Sequence, residues 1–151
     1  MKQRVNVVIN ENAIKVVIEN AIESFNKIRN TEENPPLAKV YAIVSLADIY
    51  YFEGWRFKET ETFSTSAAFK ECYNLCNEKT VLGMFNNQSV DSLVDVDISR
   101  LDDMDKELYA YLCNIAGDAL SKAELNRLNE AIRLCQNAVD VTQQTDVNLE
   151  T

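Results

Sequence analysis

Hydrophobic residues recur along most of this chain at the three-and-four spacing of one helix face. Ile14, Val17, Ile18, Ala21, Ile22, Phe25 and Ile28 form one such row, with Glu19, Glu23 and Lys27 off it, and predict a helix over 11–29. Upstream, Val5, Val7 and Ile9 alternate, which favours a short extended segment over the start of a helix. Pro35 pushes Asn34 out of the α region and ends the first helix. Pro36 suits the first turn of a second helix, where its missing N–H costs nothing. That helix is expected to reach about Glu53, with Leu37, Val40, Tyr41, Val44, Ala47 and Tyr51 along one stripe. Ile43, Leu46 and Tyr50 widen the stripe, which places the helix centrally, and Gly54 is expected to cap its end in the left-handed conformation.

Further along, "WRFKETETF" reads as an aromatic loop and "STSAAFKECYNLCNEK" as a third helix with Ala68, Cys72, Leu75 and Cys76 inward. Residues 81–100 are the least regular part, with a turn expected at Asn86-Asn87 and no more than a short helical turn besides. Asp102 or Asp103 caps a fourth helix through about Leu120, carried by Leu108, Tyr111, Leu112, Ile115, Ala116 and Ala119. Ser121 to Glu124, "SKAE", matches a capping box and predicts that a fifth helix starts there. Leu125, Leu128, Ile132, Cys135 and Val139 would line its buried face, and a polar tail over 143–151 is expected to fray. The fold class expected is therefore all-α, with about five helices in one domain over 1–142, arranged as antiparallel helical hairpins or an irregular helical bundle.

Composition agrees with that class. Only 3 Gly and 2 Pro occur in 151 residues, fewer than a sheet with many tight turns needs. The net charge of −9 is unevenly placed: residues 1–60 balance eight basic against eight acidic side chains, and 61–151 hold all the excess. That sign opposes direct binding of nucleic-acid phosphates and favours a partner protein with a basic surface. With neither a long apolar run nor a basic-then-apolar leader, no membrane association is expected, and Cys72, Cys76, Cys113 and Cys135 are read as reduced thiols of a cytoplasmic protein.

One short pattern occurs twice. "AFKECYN" at 68–74 returns as "AIRLCQN" at 131–137, 63 positions later. Each copy follows a helix carrying a large residue and then Ala, Leu46-Ala47 before the first and Ile115-Ala116 before the second. Leu46, Ala47 and Tyr50 on one helix, with Ala68, Ala131 and Ala138 as small residues on the other, resemble the tetratricopeptide repeat, a helix–turn–helix of about 34 residues. The resemblance covers 37–80 and 106–140. It departs from the family in an insertion across Gly54–Ser64, in Ala119 where the second tyrosine belongs, in the absence of the terminal Pro, and in the spacing of the units. It implies stacked helical hairpins and a role in protein binding.

Candidate chemistry is sparse. The chain has no His, so the commonest general base and zinc ligand is missing. Cys72 and Cys76 lie one turn apart without a second pair, and "DVDISRLDDMDKE" lacks the Gly and ligand order of a calcium loop. No cofactor is expected, and the reading is of a protein without catalytic activity: an interaction module that binds a basic segment of another protein. Tyr51, Trp55 and Phe57 are the expected apolar anchors, and Asp95, Asp97, Asp102 and Asp103 the electrostatic guide. Two other readings stand beside it: an acidic inhibitor of phage or mobile-element type, occupying a basic nucleic-acid-binding surface of a host protein, and a homo-oligomeric structural protein, for instance a homodimer.

Overall fold

The computed structural model describes the backbone over 2–56, 62–85, 90–123 and 125–150, and side chains over 12–56, 66–85, 90–123 and 126–143. Helices α1 (Lys2–Asn30), α2 (Pro36–Arg56), α3 (Thr62–Cys76), the single turn α4 (Lys79–Leu82), α5 (Asp103–Ala123) and α6 (Leu128–Glu150) make an all-α fold with no strand among the described residues. Each long helix packs on the next, α1 on α2, α2 on α3, α3 on α5 and α5 on α6. The result is a row of antiparallel helical hairpins rather than a bundle around one axis. Three 3₁₀ turns, at Leu93–Asp95, Ile98–Arg100 and Leu125–Arg127, fill the connections.

The central position goes to α5. Tyr109, Leu112, Cys113, Ala116, Ala119 and Leu120 are sealed from solvent along it. Phe69, Cys72, Leu75 and Cys76 face them from α3, and Ile43, Leu46 and Ala47 from α2. Val81 and Leu82 of α4 enter the core, as does the irregular stretch after it, through Phe85, Leu93, Val94, Val96 and Leu101. Asn77 fixes that stretch, accepting from the Leu93 amide at 2.7 Å and donating to the Tyr73 carbonyl at 2.9 Å. Its apolar residues lack helical spacing, so only tertiary packing reveals them as core.

Several expectations are corrected. Residues 5–9 belong to α1 and are helical, because the Val-rich alternation finds no partner strand and α1 simply continues upstream. A sixth helix, α4, adds one turn to the five expected. Gly54 does not cap α2 but lies buried inside it, beneath Phe69, where a Cβ would meet the ring at 2.6 Å. Ser121 starts no helix: it sits inside α5 and donates its hydroxyl to the Asp118 carbonyl at 2.7 Å, the in-helix alternative to a cap. Asp102 does cap α5, accepting from the Asp105 amide at 2.8 Å, and Pro36 does open α2. The turn at Asn86-Asn87 and Glu124 lie outside the described residues. The backbone of α6 runs on to Glu150, and the side chains of the polar segment 144–151 likewise lie outside them.

The apolar stripes are corrected on four helices. Ile14 and Val17 on α1, Leu37 and Tyr41 on α2, Tyr111 on α5, and Leu128, Ile132 and Val139 on α6 are exposed. On α6 the buried residues are Ala131, Leu134, Ala138 and Val141, a face rotated from the one the spacing indicated. Among the described residues no helix is long and apolar enough to cross a membrane.

Candidate functional site: an aromatic and acidic face on α2 and α5

Three side-chain contacts fix how α2 and α5 lie together. Tyr111 donates its hydroxyl to Asp48, Tyr51 donates to Asp118, and the Lys122 ammonium lies 4.6 Å from the centre of the Trp55 ring. The partner numbers rise together on the two helices, so α2 and α5 run parallel, side by side. Tyr111 and Asp48 are 63 positions apart, the spacing of the repeated heptapeptides, and Tyr51 and Asp118 are 67 apart, about one helical turn more. First helices of the two hairpins are thus neighbours on one face, and the second helices carry the heptapeptides.

That face is apolar along α2. Leu37, Tyr41, Phe52 and Trp55 recur on one side of the helix and are exposed, Leu37 and Tyr41 at 68% each. Trp55 is held in place by edge-on packing against Tyr51 and Phe69, with ring centres 6.5 and 6.0 Å away. Tyr41 stands edge-on to Phe25 of α1 at 6.3 Å. A row of large exposed apolar side chains at fixed positions differs from the scattered ones of an ordinary surface.

Carboxylates accompany this row. Burial raises the Asp48 carboxyl above its usual range, more than the hydrogen bond from Tyr111 lowers it. Asp118 is raised by burial too, but hydrogen bonds from Lys122 and Tyr51 outweigh that and leave it below the usual range. Burial, with Asp118 alongside, pushes the Tyr51 hydroxyl up to about 12, so it stays a donor at neutral pH. On α5, Asp103 and Glu107 precede Tyr111 at helical spacing and lie exposed at the end of the helix that runs beside Leu37 and Tyr41.

The expected site residues separate into two groups. Tyr51 and Trp55 sit at the C-terminal end of this face, Tyr51 half-buried and Trp55 open. Phe57 lies outside the described residues. Asp95, Asp97, Asp102 and Asp103 are all exposed and gather in the approach to α5. From Asp103 to Lys122 is roughly 28 Å of helix, so the two groups mark opposite ends of one strip. Asp97 accepts from the Ser99 amide at 3.1 Å and hydroxyl at 2.7 Å, which lowers its carboxyl below the usual range. Sequence reasoning missed Leu37 and Tyr41 as surface residues, because their spacing is that of a buried stripe.

A second open feature adjoins this face. Two neighbouring depressions of about 410 and 300 Å³ run between α5 and α6, sharing Cys135 and Val139 as walls. Gly117 allows the close approach of the helices there, since a Cβ would lie 2.7 Å from the Cys135 Sγ. Among the described residues, no three His, Cys, Asp or Glu side chains gather into a metal site. No family model, curated protein or solved structure matches this chain.

Proposed function

We propose that the protein is a non-catalytic interaction module that binds a basic segment of another protein along the α2–α5 face. The observation that carries this reading is the exposed row Leu37, Tyr41, Phe52 and Trp55 lying parallel to a helix that bears Asp103, Glu107 and Asp118. Aromatic side chains held by edge-on neighbours bring large contact area at little loss of rotamer freedom, which is what interface anchors require. The acids at the start of α5 give the face a direction: a basic end of the partner would lie over Asp95, Asp97, Asp102 and Asp103, and its apolar residues over Trp55. The two ends stand further apart than the screening length at physiological salt, about 8 Å, so they act on different parts of the partner. An extended segment would need about nine residues to cover the strip.

The hairpin order supports a tetratricopeptide-like architecture. In that arrangement first helices lie parallel along one surface and second helices form the other, as α2 and α5 do against α3 and α6. The irregular connection from 77 to 102 sets this chain apart from a regular array of such repeats.

The test is affinity capture of a partner from the native cell's lysate at low and high salt, using wild type and two variants. Trp55→Ala with Tyr41→Ala should weaken capture at least tenfold. Replacing Asp95, Asp97, Asp102 and Asp103 by Asn should remove most of the salt dependence, and Asn at 102 keeps the helix cap. Capture unchanged in both variants would rule this face out.

A further inference from the structure

The repeated heptapeptide shows what the depression between α5 and α6 lacks. Its two copies occupy the second helix of each hairpin, so Phe69 corresponds to Ile132, Cys72 to Cys135 and, continuing, Cys76 to Val139. In the first hairpin those positions are 0%, 0% and 1% exposed: Tyr51 and Trp55 of α2 pack on Phe69, and α5 lies against α3. In the second, Ile132 and Val139 are 57% and 49% exposed, and Cys135 is half-buried. The same surface is covered by a helix once and left open once. The vacant groove is therefore built for a helix.

A candidate helix stands at the other end of the molecule. The N-terminal half of α1 carries Ile14 and Val17 exposed, on the stripe that further along packs Ile22 and Phe25 against the core. Residues 2–17 of a helix span roughly 22 Å, and the groove wall from Leu128 to Thr142 roughly 21 Å. The charges complement each other. Lys2, Arg4 and Lys15 stand against Glu11 in that half of α1. The two helices that form the groove are net acidic over 103–143: Asp103, Asp105, Glu107, Asp118, Glu130 and Asp140 stand against Lys106, Lys122 and Arg133, with Asp118 in the groove wall and bound to Lys122. Like-charged grooves disfavour a pairing of two α5–α6 faces with each other.

We propose that the groove between α5 and α6 receives the N-terminal half of α1 from a second copy of this chain. Ile14 and Val17 insert between Ile132, Cys135 and Val139, and α1 takes the place that α5 holds in the first hairpin. The groove shares α5, and Asp118 in its wall, with the α2–α5 strip, but variants at Val17, Ile132 and Cys135 leave the strip's own residues unchanged, so the two proposals are tested separately.

Cys135 makes the contact measurable. Cys72, Cys76 and Cys113 are sealed, so it is the accessible thiol among the four. Mild oxidation of Val17→Cys should give a disulfide-linked species on a non-reducing gel, mapped by mass spectrometry to 17–135 and absent when Cys135 is replaced by Ser. Light scattering should find wild type above the monomer mass of 17.2 kDa at high concentration. Val17→Glu and Ile132→Glu should each return it to that mass with helical circular dichroism intact. A monomer at every concentration overturns the proposal. So does an oligomer that both Glu variants leave intact, or a wild-type disulfide joining Cys135 to Cys135. Binding of the basic partner by the α2–α5 strip would be untouched by any of these outcomes.

Discussion

Tyr109 is fully buried with a satisfied hydroxyl, donating to the Leu93 carbonyl at 2.8 Å and accepting from the Asn137 amide at 3.1 Å. Asn137 also donates to the Val94 carbonyl at 3.3 Å, so one phenol joins α5, α6 and the irregular stretch. Tyr109→Phe removes both of these bonds, leaving the Leu93 carbonyl with the Val96 amide alone and the Asn137 amide with the Val94 carbonyl alone. It should lower unfolding free energy by about 1–3 kcal/mol in urea titrations, without changing helix content. Asp118 gives a pH signature. Its carboxyl is held below the usual range, so its contribution to stability is present above the unfolded-state value and is lost as pH falls through the folded one. The melting-temperature gap between wild type and Asp118→Asn should be widest near neutral pH and close in acid below the usual carboxylate range. Neither residue was singled out in the sequence, because each owes its role to a partner far along the chain: Tyr51 for Asp118, Leu93 and Asn137 for Tyr109.

At the level of helices, close approach matters more than propensity. Gly117 and Gly54 both sit inside helices, where Ala is intrinsically better by about 1 kcal/mol. Each is needed because a neighbour occupies the space of a Cβ, the Cys135 Sγ against Gly117 and the Phe69 ring against Gly54. Gly117→Ala should therefore destabilise by about 1–3 kcal/mol despite its propensity, measured by thermal or urea unfolding, as overpacking separates α5 from α6. Helix positions were largely legible: Pro36 opens α2, Asp102 caps α5, and the rows of Leu and Ile mark the long helices. Ends were less so. Gly54 and Ser121 are residues that end or start helices elsewhere, and here tertiary contacts carry the helix through both.

For the whole molecule, thiol reactivity reports the packing of the row. Cys76 and Cys113 have thiols pushed up, Cys76 by its side-chain hydrogen bond with the free thiol of Cys72 and by burial, Cys113 to about 12 by burial. An alkylating reagent near neutral pH should modify Cys135 in the native protein, and Cys72, Cys76 and Cys113 only on unfolding. Burial raises Cys135 too, so its reaction should be slower than that of a free thiol and quicken with pH. Rapid native labelling of Cys72 or Cys113 would mean that α5 does not seal against α3.

The sequence by itself determined the helical class, most of the helix positions and the twofold use of one heptapeptide, because these follow from local spacing and backbone preferences. Only the tertiary structure decided which apolar stripes are buried. The rows at Leu37–Trp55 and Leu128–Val139 carry the spacing of core faces, and spacing is blind to whether another helix lies opposite. In a row of hairpins each helix meets its neighbours in chain order, so the ends and one side of the row keep apolar faces that a closed bundle would have covered.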